Sequence, residues 1–221
     1  VTSDKCYENK ELARGYIESD VLGGFDPYSN SKACSELITN AYRNSFLNKA
    51  KIGVATARAG NVIGGGDWAD DRLIPDILIS FDTKTPLLIR NPNSVRPWQH
   101  VLDCLAGYLS LAENLYYDKQ SFSGAWNFAP STEDAKPVSW IIEKMNSLWG
   151  CNNRWVLDTS EPFHETNYLK LDNSKAKKNL SWSPKWELAE SLEKVVYWHS
   201  NWKKGKDAKE LCEQQIKEYQ Y

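Results

Sequence analysis

Short apolar runs of strand length alternate with segments of helical period along this chain, and that alternation limits its fold more than any other feature. Residues 52–57 (IGVATA), 86–89 (PLLI), 125–128 and 155–157 have the length and character of buried parallel strands. Residues 1–3 read as the end of another strand. Between the strands lie helical stretches. The first runs from 27 to about 48, with Tyr28, Ala33, Leu37, Ala41 and Phe46 recurring on one side. Others cover 73–81, 101–117, 138–150, about 173–180 and 188–203, and a charged tail follows at 206–221. Residues 20–27, rich in Gly, Asp and Pro, and residues 60–71, rich in Gly, predict loops. Such a pattern predicts an α/β protein with a mainly parallel sheet.

Bulk properties narrow the function classes. The 221 residues carry a net charge of -2, which gives no overall electrostatic case for nucleic acid or an anionic membrane. No apolar run approaches the roughly 20 residues of a membrane helix, and the first ten residues lack the order of a signal peptide. Five cysteines lie far apart without a CxxC pair, arguing against a disulfide framework or a zinc site and for a reducing cytoplasm. Ten tryptophans predict large apolar side chains in a core or interface, with sugar stacking the rarer alternative. The chain opens on Val1 and its sole methionine is Met145, so an amino-terminally truncated chain is expected.

One absence carries weight. No G-x-G-x-x-G follows a strand, and the dense glycine cluster, Gly64–Gly66, does not open a helix at the required spacing. The turn that would cradle a dinucleotide pyrophosphate is therefore not in this sequence.

Two motifs bear chemistry. Tyr28 and Lys32, four residues apart near a helix start, share one helix face, where an ammonium favours the phenolate and makes a usable base. With eleven tyrosines in the chain such a pair is expected by chance. Upstream, Ser3-Asp4-Lys5 places a hydroxyl, an acid and a base at a strand end, where catalytic groups gather in open α/β sheets. Both motifs in order and at this gap are much rarer than either alone.

The segments VTSDKCYEN, GGFDPYSNSKACSELI, RAGNVIGGGDWADDRLIPD, IRNPNSVRPWQHVLD, WNFAP and HETNYLKLDNSKA together resemble the extended short-chain dehydrogenase/reductase superfamily, and within it the CDP-glucose 4,6-dehydratases. The resemblance implies the carboxy-terminal part of a Rossmann-type parallel-sheet domain plus a smaller mixed α/β substrate-binding domain. Residues 1–60 would be the remaining half of the NAD-binding domain. Residues 61–205 would mainly bind the nucleotide sugar, with some segments returning to the Rossmann sheet.

It also implies roles. Tyr28 would take the sugar O4 proton while hydride passes from C4 to NAD, and Lys32 would hold the nicotinamide ribose and depress the tyrosine pKa. Ser3 would bond the O4 region, and Asp4 would protonate the departing C6 hydroxyl. Related dTDP-glucose dehydratases have a glutamate in place of Lys5. Whether Lys5 itself removes the C5 proton, or aids a water or Tyr28, the sequence leaves open. Arg96 and then Arg72 would hold the diphosphate, and Asn61, Asn127, His164 and Tyr168 would touch nucleotide or phosphates. Gly60 would offer its backbone to the nicotinamide. No metal is implied.

Each carry-over has a plainer alternative: Arg72 as a surface charge beside Asp70 and Asp71, Asn127 as a strand-end residue, His164 as a structural donor. A cytoplasmic homodimer seamed partly by Ala33, Leu37 and Ala41 is expected. Other functions stay in view: a nucleotide-sugar epimerase or another NDP-sugar 4,6-dehydratase, and a non-catalytic nucleotide-sugar-binding fragment. Asp4-Lys5 disfavours the epimerase, which expels no C6 hydroxyl. Without the glycine-rich turn these residues alone are expected to bind NAD poorly and show no turnover.

Overall fold

A computed structural model describes residues 1–159 and 169–220. The chain opens on a short 3-10 turn, Asp4–Cys6, capped by Ser3, whose Oγ accepts from the Lys5 N–H at 3.2 Å. The expected strand end at 1–3 is not a ladder strand; Thr2 donates a single backbone bond to the Ala57 carbonyl.

Helix α1, Pro27–Tyr42, starts where local chemistry dictates. Asp26 is its N-cap, accepting from the Ser29 N–H at 3.0 Å and the Ser29 hydroxyl at 2.6 Å, and Pro27 occupies the first turn. This cap places Tyr28 at the helix entrance. A π-helical turn, Arg43–Leu47, extends the helix.

Strand β1 (Ala55–Ala59) pairs in parallel with β5 (Gly124–Phe128), Ala55 opposite Gly124 and Ala59 opposite Phe128. The strand lies later than the run at 52–57 suggests, and Ile52 is half exposed rather than buried. Strand β2 (Asn61–Ile63) pairs in parallel with β4 (Val95–His100), which pairs antiparallel with β6 (Ala135–Pro137). β3 (Leu87–Ile89) pairs in parallel with β7 (Trp155–Leu157). The helices are α2 (Leu73–Thr83), α3 (Val101–Tyr117), a short α4 (Lys119–Phe122), α5 (Val138–Trp149), α6 (Ser174–Leu180) and α7 (Leu188–Lys203).

Residues 206–221 are not merely a charged tail: Ala208–Gln220 form α8. Leu211, Gln215 and Tyr219, four residues apart, put one side of it on the rest of the chain, with Leu211 and Gln215 buried. The Gln215 amide donates to the Lys194 carbonyl at 2.8 Å, and the Tyr219 hydroxyl donates to Asp103 at 2.8 Å. Charge alone hid that stripe.

Apolar side chains gather in three clusters. One joins α2, β3, α5 and α7 around Ile77, Ile141, Met145 and Leu192. A second covers the β1–β5 pair with α3 and α6 through Trp126, Phe128 and Trp182. A third, with Tyr7, Tyr16 and Leu171, lies behind the opening turn. Trp98, Trp126, Trp182, Trp186 and Trp198 are buried, so packing accounts for half of the ten tryptophans.

Candidate active site

The Asp4 turn, the entrance of α1, the β1–β2 junction and the ends of β3 and β4 line one cleft of about 1120 Å³. Ser3, Asp4, Lys5, Tyr28, Gly60, Asn61, Arg72 and Arg96 all contribute to its lining. The turn and α1 pack directly against each other, which brings the acid and the phenol to the same space.

Asp4 is 2% exposed. Its Oδ1 accepts from the Ser3 hydroxyl at 2.9 Å, whereas Oδ2 is buried with no hydrogen-bond partner among the described residues. Burial pushes this carboxyl above the usual range, against the opposing pull of Lys5, the Ser3 hydrogen bond and Arg96. The protonated form is thereby favoured, as a proton donor requires. Gly60 makes the site possible. A Cβ there would stand 2.9 Å from Pro97 Cγ and 3.2 Å from Asp4 Oδ2, so a larger residue would crowd the carboxyl.

Tyr28 is half exposed, and the Lys32 ammonium lies 5.4 Å from its ring centroid, on the same helix face as the spacing requires. Lys32 supports the phenol from outside the cleft lining. Arg96 is buried at the cleft wall, and its Nη1 donates to the Val95 carbonyl at 3.2 Å. Arg72, the residue before α2, is exposed on the opposite wall.

Asn127 does not reach the cleft. It is fully buried in β5, where its Oδ1 accepts from the Tyr7 hydroxyl at 2.8 Å and its amide donates to the Tyr16 carbonyl at 2.8 Å. Both ends of the amide are engaged within the chain, so the plainer strand-end alternative describes it. His164 and Tyr168 lie outside the described residues.

Several residues that sequence reasoning passed over matter here. Glu36, one turn beyond Lys32, accepts from the Thr2 hydroxyl at 2.5 Å, the Thr56 hydroxyl at 2.7 Å and Arg58 Nη2 at 2.7 Å. Arg58 also donates to the Tyr7 hydroxyl at 2.7 Å. Both members of this ion pair are buried, and they fasten α1 to β1 and to the residue next to Ser3. A signal was available, a glutamate in step with Tyr28 and Lys32 and an arginine inside an otherwise small, apolar strand. Arg90 also lines the cleft, 3.8 Å from Asp71 and 3.8 Å from Asp158. Among the described residues no group of three or more His, Cys, Asp or Glu is placed to hold a metal ion.

An acid on the opening turn and a phenol at the entrance of α1 thus line one cleft together with Arg72, Arg90 and Arg96. The chain matches the GDP-mannose 4,6 dehydratase family over residues 2–195, and it belongs to that family. It is 52% identical over 224 residues to CDP-glucose 4,6-dehydratase of Salmonella typhimurium, covering 99% of this chain and 62% of that protein. The chain thus spans under two thirds of that relative's length. Among solved structures it is similar to dTDP-glucose 4,6-dehydratase of Bacillus anthracis in complex with NAD (TM-score 0.74, 21% identity, 90% of this chain and 60% of that one). UDP-glucuronic acid 4-epimerase of Bacillus cereus, in complex with UDP-glucuronic acid and NAD, is similar at TM-score 0.77 and 20% identity, again over 90% and 60%. These two likenesses confirm the Rossmann-type fold and, since one is a dehydratase and the other an epimerase, do not choose a reaction.

Proposed function

We propose that this chain supplies the substrate cleft and catalytic side chains of an NAD-dependent dehydratase that converts CDP-glucose to CDP-4-keto-6-deoxyglucose. The observation that carries the reading is the buried Asp4 carboxyl, one oxygen unpartnered, on the same cleft as Tyr28. An epimerase has no leaving hydroxyl at C6 and so no use for such an acid.

The nicotinamide end of NAD fits this chain: Tyr28 and Lys32 share an accessible helix face, and Gly60 leaves its backbone bare beside Asp4. The diphosphate end has no equivalent among the described residues, because Gly64 packs on Val101, Gly65 and Gly66 pack on Trp198, and a loop, not a helix, follows them. NAD, when bound, supplies the acceptor for hydride from sugar C4 and its return to C6.

The chain's own groups do the rest. Tyr28 takes the O4 proton as C4 is oxidised, Lys32 favours the resulting phenolate, and Ser3 steadies the O4 region. The C4 ketone acidifies C5, whose proton Lys5 or a water it orients removes. Asp4 gives its proton to the C6 hydroxyl, which leaves as water. Hydride at C6 and a proton at C5 complete the product. Arg96 and Arg72 hold the diphosphate, with Asn61 beside the nucleotide.

The domain reading accords with β5, from within residues 61–205, returning to pair with β1. On α1, Leu37, Ile38 and Tyr42 are exposed, which supports a homodimer seam; Ala33 is buried inside the chain and does not belong to it. No helix among the described residues is long and apolar enough to cross a membrane, in keeping with a cytoplasmic enzyme.

The test joins the amino-terminal segment of the Salmonella relative that lies outside the match to this chain, then adds CDP-glucose and NAD. The expected product is a keto sugar lighter by one water. A product retaining its C6 hydroxyl would instead establish the epimerase, and binding without conversion the non-catalytic reading.

A further inference from the structure

The segment between β2 and α2, residues 64–72, forms one wall of the cleft through Asp67, Ala69, Asp71 and Arg72. It has turns but no helix or strand of its own. Such a segment opens locally at little cost unless side chains fasten it. Its fastening lies on the side away from the cleft, against α7. The Gly65 backbone presses on the Trp198 indole so closely that a Cβ would stand 2.2 Å from Cγ of that ring, and Gly66, at φ +77°, lies over the same ring.

Trp68 then lays its own ring on α7, with centroids 4.6 Å from Trp202, 5.6 Å from His199 and 6.3 Å from Trp198. The seat is itself fixed: His199 Nε2 is 3.0 Å and Lys203 Nζ 3.3 Å from the Asp82 carboxylate of α2. At the far end Asp71, in the left-handed region at φ 57°, pairs with Arg90 at 3.8 Å. Trp68 is absent from the cleft lining, so it offers a ligand no stacking surface there and acts through the wall it holds.

We propose that Trp68 is a positioning residue for the diphosphate wall: its ring on α7 fixes residues 64–72 so that Arg72 stands where the nucleotide's diphosphate is held. This rests on the reading of the cleft as a CDP-glucose site. Displacing a charged donor by an ångström or so is enough to lose most of its contact, and that is the expected defect without Trp68.

The experiment uses the 221-residue chain and its Trp68→Ala and Trp68→Phe variants. Hydrogen exchange without ligand is expected to quicken at amides 64–72 in Trp68→Ala while those of α5 hold, with Trp68→Phe near the wild type. Calorimetry with CDP is expected to show about tenfold weaker binding for Trp68→Ala, largely restored in Trp68→Phe, and little change for cytidine, which has no phosphate. Unchanged exchange at 64–72, or quickened exchange with unchanged CDP affinity, overturns the proposal alone. A wild-type chain that binds no CDP overturns the nucleotide-sugar reading and the proposal with it.

Discussion

Two buried carboxyl groups, Asp4 on the opening turn and Glu36 on the helix packed against it, are handled in opposite ways. Glu36 is met by Arg58 and by two threonine hydroxyls, so every charge-bearing oxygen has a partner. Burial pushes its carboxyl up, yet the hydrogen bonds from Arg58 and Thr2 and the charge of Arg58 outweigh that, leaving it below the usual range. Asp4, equally hidden, keeps one oxygen without a partner and is driven above that range. The first is built to stay charged and hold elements together. The second suits the proton donor proposed above, since burial favours its protonated form. Burial by itself therefore does not fix the charge of a carboxyl; its partner set does.

That contrast can be broken by experiment. The largest effect is expected for Asp4→Asn in the joined protein, which keeps the shape but cannot supply a proton. Keto-sugar formation should fall about 10²–10⁴-fold. Near-normal turnover would remove Asp4 from the reaction. Next, Glu36→Ala should destabilise the fold by about 3–5 kcal/mol in denaturant titration, because Arg58 is left buried and unpaired. A loss similar to that of a surface substitution would show the pair to be solvated.

The pH dependence should carry opposite signs. Asp4, raised in the folded state, favours folding at acidic pH and loses that advantage as pH climbs from the unfolded toward the folded pKa, so Asp4→Asn should melt higher than the wild type at neutral pH and lose that lead on acidification. Glu36, lowered in the folded state, contributes above its unfolded pKa and loses that contribution as pH falls through the folded value. Melting temperatures of the two variants against pH would show whether the signs differ. The smallest effect is expected for Tyr219→Phe, which removes one hydrogen bond to the buried Asp103 and should cost about 1 kcal/mol without altering turnover.

The sequence revealed the larger elements because their periods are strong. α3 was legible at both ends, and the start of α1 at Pro27 was legible from its apolar period; the Asp26 cap was not read. The short strands β2, β4 and β6 were not. Val95–His100 reads VRPWQH, a proline among polar residues, and becomes a strand only because β2 and β6 flank it. At the site, the front acid and the phenol were picked out by motifs and both arginines by the family resemblance, and all four line the cleft. The Glu36–Arg58 pair was not read: the step of Glu36 and the lone arginine of β1 marked each residue, but their pairing is set only when the fold buries them face to face. Asn127 misled for the same reason. Its role is set by Tyr7 and Tyr16, residues more than a hundred positions away.

The last turn of α8 has a consequence. Tyr219 is stitched to Asp103 at the start of α3 through its hydroxyl, while Lys185 grips its carbonyl at 2.6 Å. Unwinding that turn would uncover a carboxyl in the interior and free the Lys185 ammonium, so the order of the α3 entrance and of the last turn of α8 is expected to be lost together.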